Sequence, residues 1–193
     1  MFKNTAKGFT LIELLIVIAV LGILAVAVLA AINPIEQINR SKDTGSRSDA
    51  EQLIGAIDRF YASKGYYPWV TSASITAISQ DWDEVDSVWN DGATSVLGKL
   101  AASGTEELKA SFVSKVTNSE YNQMRVYNEG AQGSSTYICF LPKSNNFESD
   151  AGDRCKGSGG SAVPVDYPDE ACPGGTGDTA PCPAAKTCWS CLP

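Results

Sequence analysis

The chain has 193 residues, enough for one domain of ordinary size together with an anchoring segment. Its 15 basic and 22 acidic residues leave a net charge of −7, which argues against a nucleic-acid surface, because phosphate binding rests on clustered Lys and Arg. There is no histidine, so Ser–His and Cys–His nucleophile pairs and histidine-ligated metal sites are excluded. With no nucleophile motif and no paired acids in a recognisable site, the chain reads as a non-enzyme that needs no cofactor, with no catalytic and no metal residues.

Phe9 to Ile32 is a run of 24 residues interrupted only by Thr10, Glu13 and Gly22. As a helix it would measure about 36 Å, enough to cross a hydrocarbon core of about 30 Å. It is too long for the apolar region of an ordinary cleaved secretory signal, and a buried core helix is rarely apolar all round for six turns. A carboxylate inside such a helix is costly and calls for a partner, so Glu13 is a functional candidate.

Lys7-Gly8-Phe9-Thr10-Leu11-Ile12-Glu13-Leu14-Leu15 resembles the prepilin signature of bacterial type IV pilins and type II secretion pseudopilins. The resemblance covers the leader and the hydrophobic segment. It implies that prepilin peptidase removes residues 1–8 by cutting between Gly8 and Phe9, that the new Phe9 amine is methylated, and that Glu13 pairs with the amine of a neighbouring subunit during assembly. The cut would remove Lys3 and Lys7 and no acid, leaving 13 basic against 22 acidic residues, −9. Lys3 and Lys7 on one flank against Arg40, Lys42 and Arg47 on the other do not decide orientation. The resemblance does, placing the leader in the cytoplasm and the head outside. It further implies an inner-membrane assembly platform with its ATPase, and other pilins as partners.

Residues 9–32 are thus the membrane and polymerisation helix, and 33–65 an amphipathic continuation. Pro34 predicts a kink or break. Leu53, Ile54, Ile57, Phe60 and Tyr61 form a buried stripe. Between these, Asp43-Thr44-Gly45-Ser46 is weak helix, and Ser48-Asp49-Ala50-Glu51 fits a capping box that would start a fresh helix near 49. The family norm is one continuous helix, and continuity is the favoured reading, with 42–48 its softest part. Gly65 and Pro68 end the helix, in a Gly-x-Tyr-Pro turn like that of pilin-like proteins.

Residues 66–193 form the head. Residues 69–104 read as loop-rich with short helices around 95–103, Glu106–Thr117 as helical, and Tyr121–Asn128 with Ser135–Leu141 as a β-hairpin. A third strand is expected near 162–167. An antiparallel sheet laid on the long helix makes the fold α+β. Cys139, Cys155, Cys172, Cys182, Cys188 and Cys191 lie behind an export segment and read as disulfides. Of the 15 pairings six cysteines allow, Cys139 is expected to tie the sheet to the tail, with Cys155 its nearest candidate. The tail, 168–193, is too poor in apolar residues to build its own core.

Two constellations look chemical. Cys188-Trp189-Ser190-Cys191 has redox spacing but no βαβ surroundings, so structural disulfides are favoured over a redox pair or a four-cysteine zinc site. Asp81, Asp83, Glu84 and Asp86 break the alternation of an EF-hand and read as a solvated acidic loop, although some pseudopilins bind calcium in their heads. The function expected is a structural subunit of a type IV pilus or related filament. It would be a cytoplasmic-membrane precursor, then part of an extracellular pilus or an envelope pseudopilus. The alternative is a minor pilin or pseudopilin of type II secretion or DNA uptake whose head binds a partner or substrate.

Overall fold

A computed structural model describes residues 8–31, 33–74, 78–104, 106–118, 120–131, 133–157, 163–175, 182 and 187–193. The elements in order are α1 (Leu11–Ala31), α2 (Pro34–Lys64), β1 (Gln80–Glu84), α3 (Val96–Leu100), α4 (Ala110–Val116), β2 (Met124–Asn128), β3 (Thr136–Phe140), α5 (Asn145–Lys156), a 3₁₀ turn at Asp169–Ala171, and β4 (Ser190–Leu192). The chain divides after Ile38 into two compact units.

The break before Pro34 follows from its chemistry. α1 ends at Ala31, and proline opens α2, where its missing N–H costs nothing. Asn33 caps the new helix, its Oδ1 accepting the Glu36 N–H at 3.3 Å. α2 then runs unbroken through 42–48, so the Ser48–Glu51 capping box does not form. Asp49 is buried inside the helix, and its carboxylate accepts from Lys115 Nζ at 2.6 Å and from the Tyr121 hydroxyl. Gly65, at φ 76°, closes the helix with its N–H on the Tyr61 carbonyl at 2.8 Å.

The weak-helix segment is held by what it touches. Asp43, Ser46 and Asp49, at i, i+3 and i+6, form a buried polar row continuous with the apolar row Ala50, Leu53, Ala56, Ile57 and Phe60. Asp43 is fully buried. Its two oxygens accept the Lys143 N–H at 2.9 and 3.0 Å, and Oδ2 also takes the Ser144 N–H at 2.7 Å and the Ser144 hydroxyl at 2.6 Å. Ser144 is the N-cap of α5 but gives it no side-chain cap bond. The α2 carboxylate therefore binds the backbone at the start of a helix 100 residues away.

The sheet is antiparallel with order β1-β2-β3-β4. The hairpin pairs Met124 with Phe140 through Asn128 with Thr136, as its alternation predicts. Its turn packs so closely on the segment entering β1 that a Cβ at Gly130 would lie 2.6 Å from the Ser79 nitrogen. Met124, Val126, Ile138 and Phe140 join the α2 stripe, α3 and α4 in one core. Tyr137, Cys139, Cys155, Tyr167, Cys172, Cys188 and Cys191 form a second core on the other face. Coverage on both sides explains why every residue of β3 is buried.

Tyr61, expected in the buried stripe of α2, is 46% exposed and lies against the Tyr67 ring at 4.6 Å, and three further expectations need correction. Residues 163–167 form a turn; the strands beyond the hairpin are β1 and β4, and residue 162 lies outside the described residues. Asp81, Asp83 and Glu84 belong to edge strand β1 rather than a loop, and charge on an edge blocks pairing with another chain. Cys139 bonds Cys191, not Cys155, because the β3–β4 register places those two residues opposite each other with Cα atoms 4.0 Å apart. Cys155 bonds Cys172, and Cys182 bonds Cys188. Closing 52 residues in the denatured chain, the Cys139–Cys191 bridge contributes about 4 kcal/mol by loop entropy. The double variant Cys139→Ser/Cys191→Ser should lose about that much in urea unfolding, whereas Cys182→Ser/Cys188→Ser, closing 6 residues, should lose about 2 kcal/mol.

Lys99 of α3 locks the connection after α2. Its Nζ donates to the carbonyls of Pro68 at 3.1 Å and Val70 at 3.0 Å and pairs with Asp91. Burial alone would raise the Asp91 carboxyl; the Lys99 ammonium and the N–H groups of Thr94 and Ala93 outweigh it and hold the pKa down at about 2. A depressed carboxylate adds stability above its unfolded pKa and loses it as pH falls through the folded one. The head should therefore lose about 1 kcal/mol between about pH 4 and pH 2, after allowance for screening near solvent. Lys99→Met should flatten that part of the urea-midpoint profile.

Candidate assembly site

The candidate site is the start of α1, and its local geometry follows from two residues, Thr10 and Glu13. Thr10 precedes the helix, and Glu13 stands in the first turn. Glu13 Oε2 accepts the Thr10 N–H at 2.9 Å and the Thr10 hydroxyl at 2.7 Å, while Thr10 Oγ1 accepts the Glu13 N–H at 3.3 Å. This is a reciprocal capping box. It sits where the helix dipole favours negative charge. The Thr-x-x-Glu spacing is its signal in the sequence, separate from the charge in an apolar run and the prepilin signature that single out Glu13.

Gly8 and Phe9 lie immediately before this cap, both exposed, with Phe9 81% accessible. Residues 1–7 of the expected leader lie outside the described residues. Behind the cap, α1 is long and apolar enough to cross a membrane, and none of its side chains from 11 to 29 is buried within the chain. Exposure of its large apolar residues runs from 47% at Val17 to 81% at Leu11. A soluble surface does not sustain that much contiguous apolar area; lipid or other copies of such a helix would cover it.

The remaining candidates are structural. Cys188 and Cys191 bond different partners, Cys182 and Cys139, so the C-x-x-C spacing forms neither a redox pair nor a thiolate site. Asp86 Oδ1 accepts the N–H groups of Val88 at 2.8 Å and Trp89 at 2.9 Å, closing the turn after β1. Among the described residues, no group of three or more Cys, Asp and Glu is placed to hold a metal.

An apolar helix with a glutamate in its first turn, followed by an α+β head with three disulfides, defines a pilin-like fold. Residues 3–29 match the family model of the prokaryotic N-terminal methylation motif, so the chain carries a prepilin-type N-terminus. It is similar to the fimbrial protein EcpC of Eikenella corrodens, 39% identical over 88 residues, which is 46% of this chain and 56% of that protein. The chain thus matches just over half the length of this curated relative. No solved structure matches. The motif and the fimbrial relative support a pilin-type subunit.

Proposed function

We propose that this chain is the precursor of a structural subunit of a type IV pilus or related filament. Prepilin peptidase cuts between Gly8 and Phe9, the Phe9 amine is methylated, and Glu13 of one subunit pairs with the Phe9 amine of its neighbour. The precursor is held in the cytoplasmic membrane by residues 9–32, leader inside and head outside, and an inner-membrane platform with its ATPase builds the filament. The observation that carries this reading is Glu13 at the cap of an exposed apolar helix inside a matched methylation motif.

The chemistry supports it in two ways. The cut creates a cation next to Thr10, whose N–H already binds Glu13. Both Thr10 contacts use Oε2, so Oε1 has capacity for a second donor. Amine and carboxylate brought together in lipid attract far more strongly than in water. Electron microscopy of sheared surface filaments, with mass spectrometry of their subunits, tests the reading. Filaments built mainly of this chain are expected of a major subunit and trace amounts of a minor one; its absence from every filament would refute the proposal.

A further inference from the structure

Glycine is the poorest helix former after proline, yet α2 carries Gly45 in its interior. The fold does not require it. Its backbone is that of an ordinary helix residue, and a Cβ built there meets nothing within 4 Å. The bare backbone at 45 instead lines a cleft of about 290 Å³, where glycine lets another molecule approach the chain closely. Lysines from three separate segments reach the same cleft: Lys42 from α2, Lys115 from α4 and Lys143 from the chain after β3.

The walls of this cleft are tied together. Asn122 Nδ2 donates to Ser46 Oγ at 3.2 Å and to the Leu141 carbonyl at 3.0 Å, joining α2 to the chain on both sides of the hairpin. Asp49 holds Lys115 Nζ at 2.6 Å and the Tyr121 hydroxyl, and the same ammonium stands 5.3 Å from the centre of the Tyr121 ring. Ser46 and Asp49, both lining the cleft, are buried. The backbone of Lys143 is fixed by Asp43, which lies outside the cleft lining and whose oxygens take N–H and hydroxyl donors.

The charges of the cleft are unevenly matched. Asp49 is engaged with Lys115. Lys42 and Lys143 form no ion pair among the described residues, and the remaining acid of the cleft, Glu120, is exposed and pairs with neither. We propose that this cleft binds a phosphate group, with Lys42 and Lys143 neutralising it and Gly45 leaving it room against the helix. Ammonium groups act as compact point charges that can surround a phosphate, whereas planar carboxylates are matched best by the arginine fork, and no arginine lines the cleft. Two unpaired ammonium groups also suit the charge of about −1.5 to −2 on a phosphate monoester near neutral pH. A soluble phosphate ester and a lipid headgroup present the same group. The site goes beyond the filament reading and does not depend on it.

Equilibrium dialysis of the full chain in neutral detergent against radiolabelled inorganic phosphate reads the site directly. Saturable binding of one phosphate per chain is expected, and Lys42→Met/Lys143→Met should weaken it about tenfold or more. Gly45→Leu keeps every charge, favours the helix and has space within the fold. It should therefore raise the urea midpoint of the head while weakening phosphate binding about tenfold by filling the cleft. Glu120→Gln should tighten binding, because it removes a carboxylate from the site. Two vesicle samples separate the sources of the group, read by protection of Lys42 and Lys143 from acetylation. Protection in phosphatidylcholine vesicles that requires phosphatidic acid in the bilayer assigns the site to a lipid headgroup; protection that requires added inorganic phosphate assigns it to a soluble ligand. Absence of saturable binding, or binding that survives either Gly45→Leu or the lysine pair at wild-type strength, overturns the proposal.

Discussion

Glu13→Ala is expected to leave a cut, folded chain in the membrane and to lower its recovery in filaments by about a hundredfold, the scale of a stranded charge in low dielectric. The head has no part in this loss, because its cores contain no residue before Ala50. The substitution also removes the capping box, so two companions separate capping from pairing. Glu13→Gln keeps an oxygen for the Thr10 N–H and drops the charge. Thr10→Ala keeps the charge and drops the hydroxyl. The proposed pairing predicts that Glu13→Gln assembles as poorly as Glu13→Ala, while Thr10→Ala retains most of its filaments. Efficient assembly of Glu13→Gln, measured by sheared yield against membrane-bound cut subunit, would reduce Glu13 to a helix cap.

Asp43→Ala should be among the most damaging single substitutions in the head, costing about 3–4 kcal/mol. It strips a buried acceptor from the Lys143 N–H, the Ser144 N–H and the Ser144 hydroxyl together, each of which is then short of a partner. Asp43→Asn keeps one acceptor oxygen and should cost about half as much. All four tryptophans, at 69, 82, 89 and 189, lie in the head. Urea unfolding of the full chain in detergent, followed by their fluorescence, therefore reports head stability directly. A loss below about 0.5 kcal/mol for Asp43→Ala, the range of an ordinary surface change, would contradict the capping role.

How much of this was legible in the sequence depended on whether the deciding interaction was local. α1 is written in composition alone, and the β2–β3 hairpin in the alternation of Met124 and Val126 with Arg125 and Tyr127. β1 was missed because its residues Gln80-Asp81-Trp82-Asp83-Glu84 look like solvent-facing loop. An edge strand with one exposed face can be that polar, and its pairing with β2 is non-local. α5 is polar almost throughout, burying only Ala151, Gly152 and Cys155, and its start is capped from α2. No window of local sequence contains that information. The disulfide partners are equally non-local, since the β3–β4 register brings Cys139 to Cys191.

At the candidate site the balance was different. Gly8, Phe9 and Glu13 are candidates because the motif that carries them is contiguous, whereas the Thr10–Glu13 cap, equally local, was not anticipated. The acidic cluster showed the opposite fault. Its composition read as a solvated acidic loop, but Asp81, Asp83 and Glu84 are strand residues and Asp86 closes a turn.

In the proposed function cleavage precedes assembly and licenses it, because the cut frees the Phe9 amine that Glu13 of a neighbouring subunit then pairs with. The most direct test is the N-terminal peptide of the chain recovered from sheared filaments, read by mass spectrometry. The account predicts a peptide beginning at Phe9 with a methylated amine. Filament subunits that retain residues 1–8, or that begin elsewhere in α1, would contradict it.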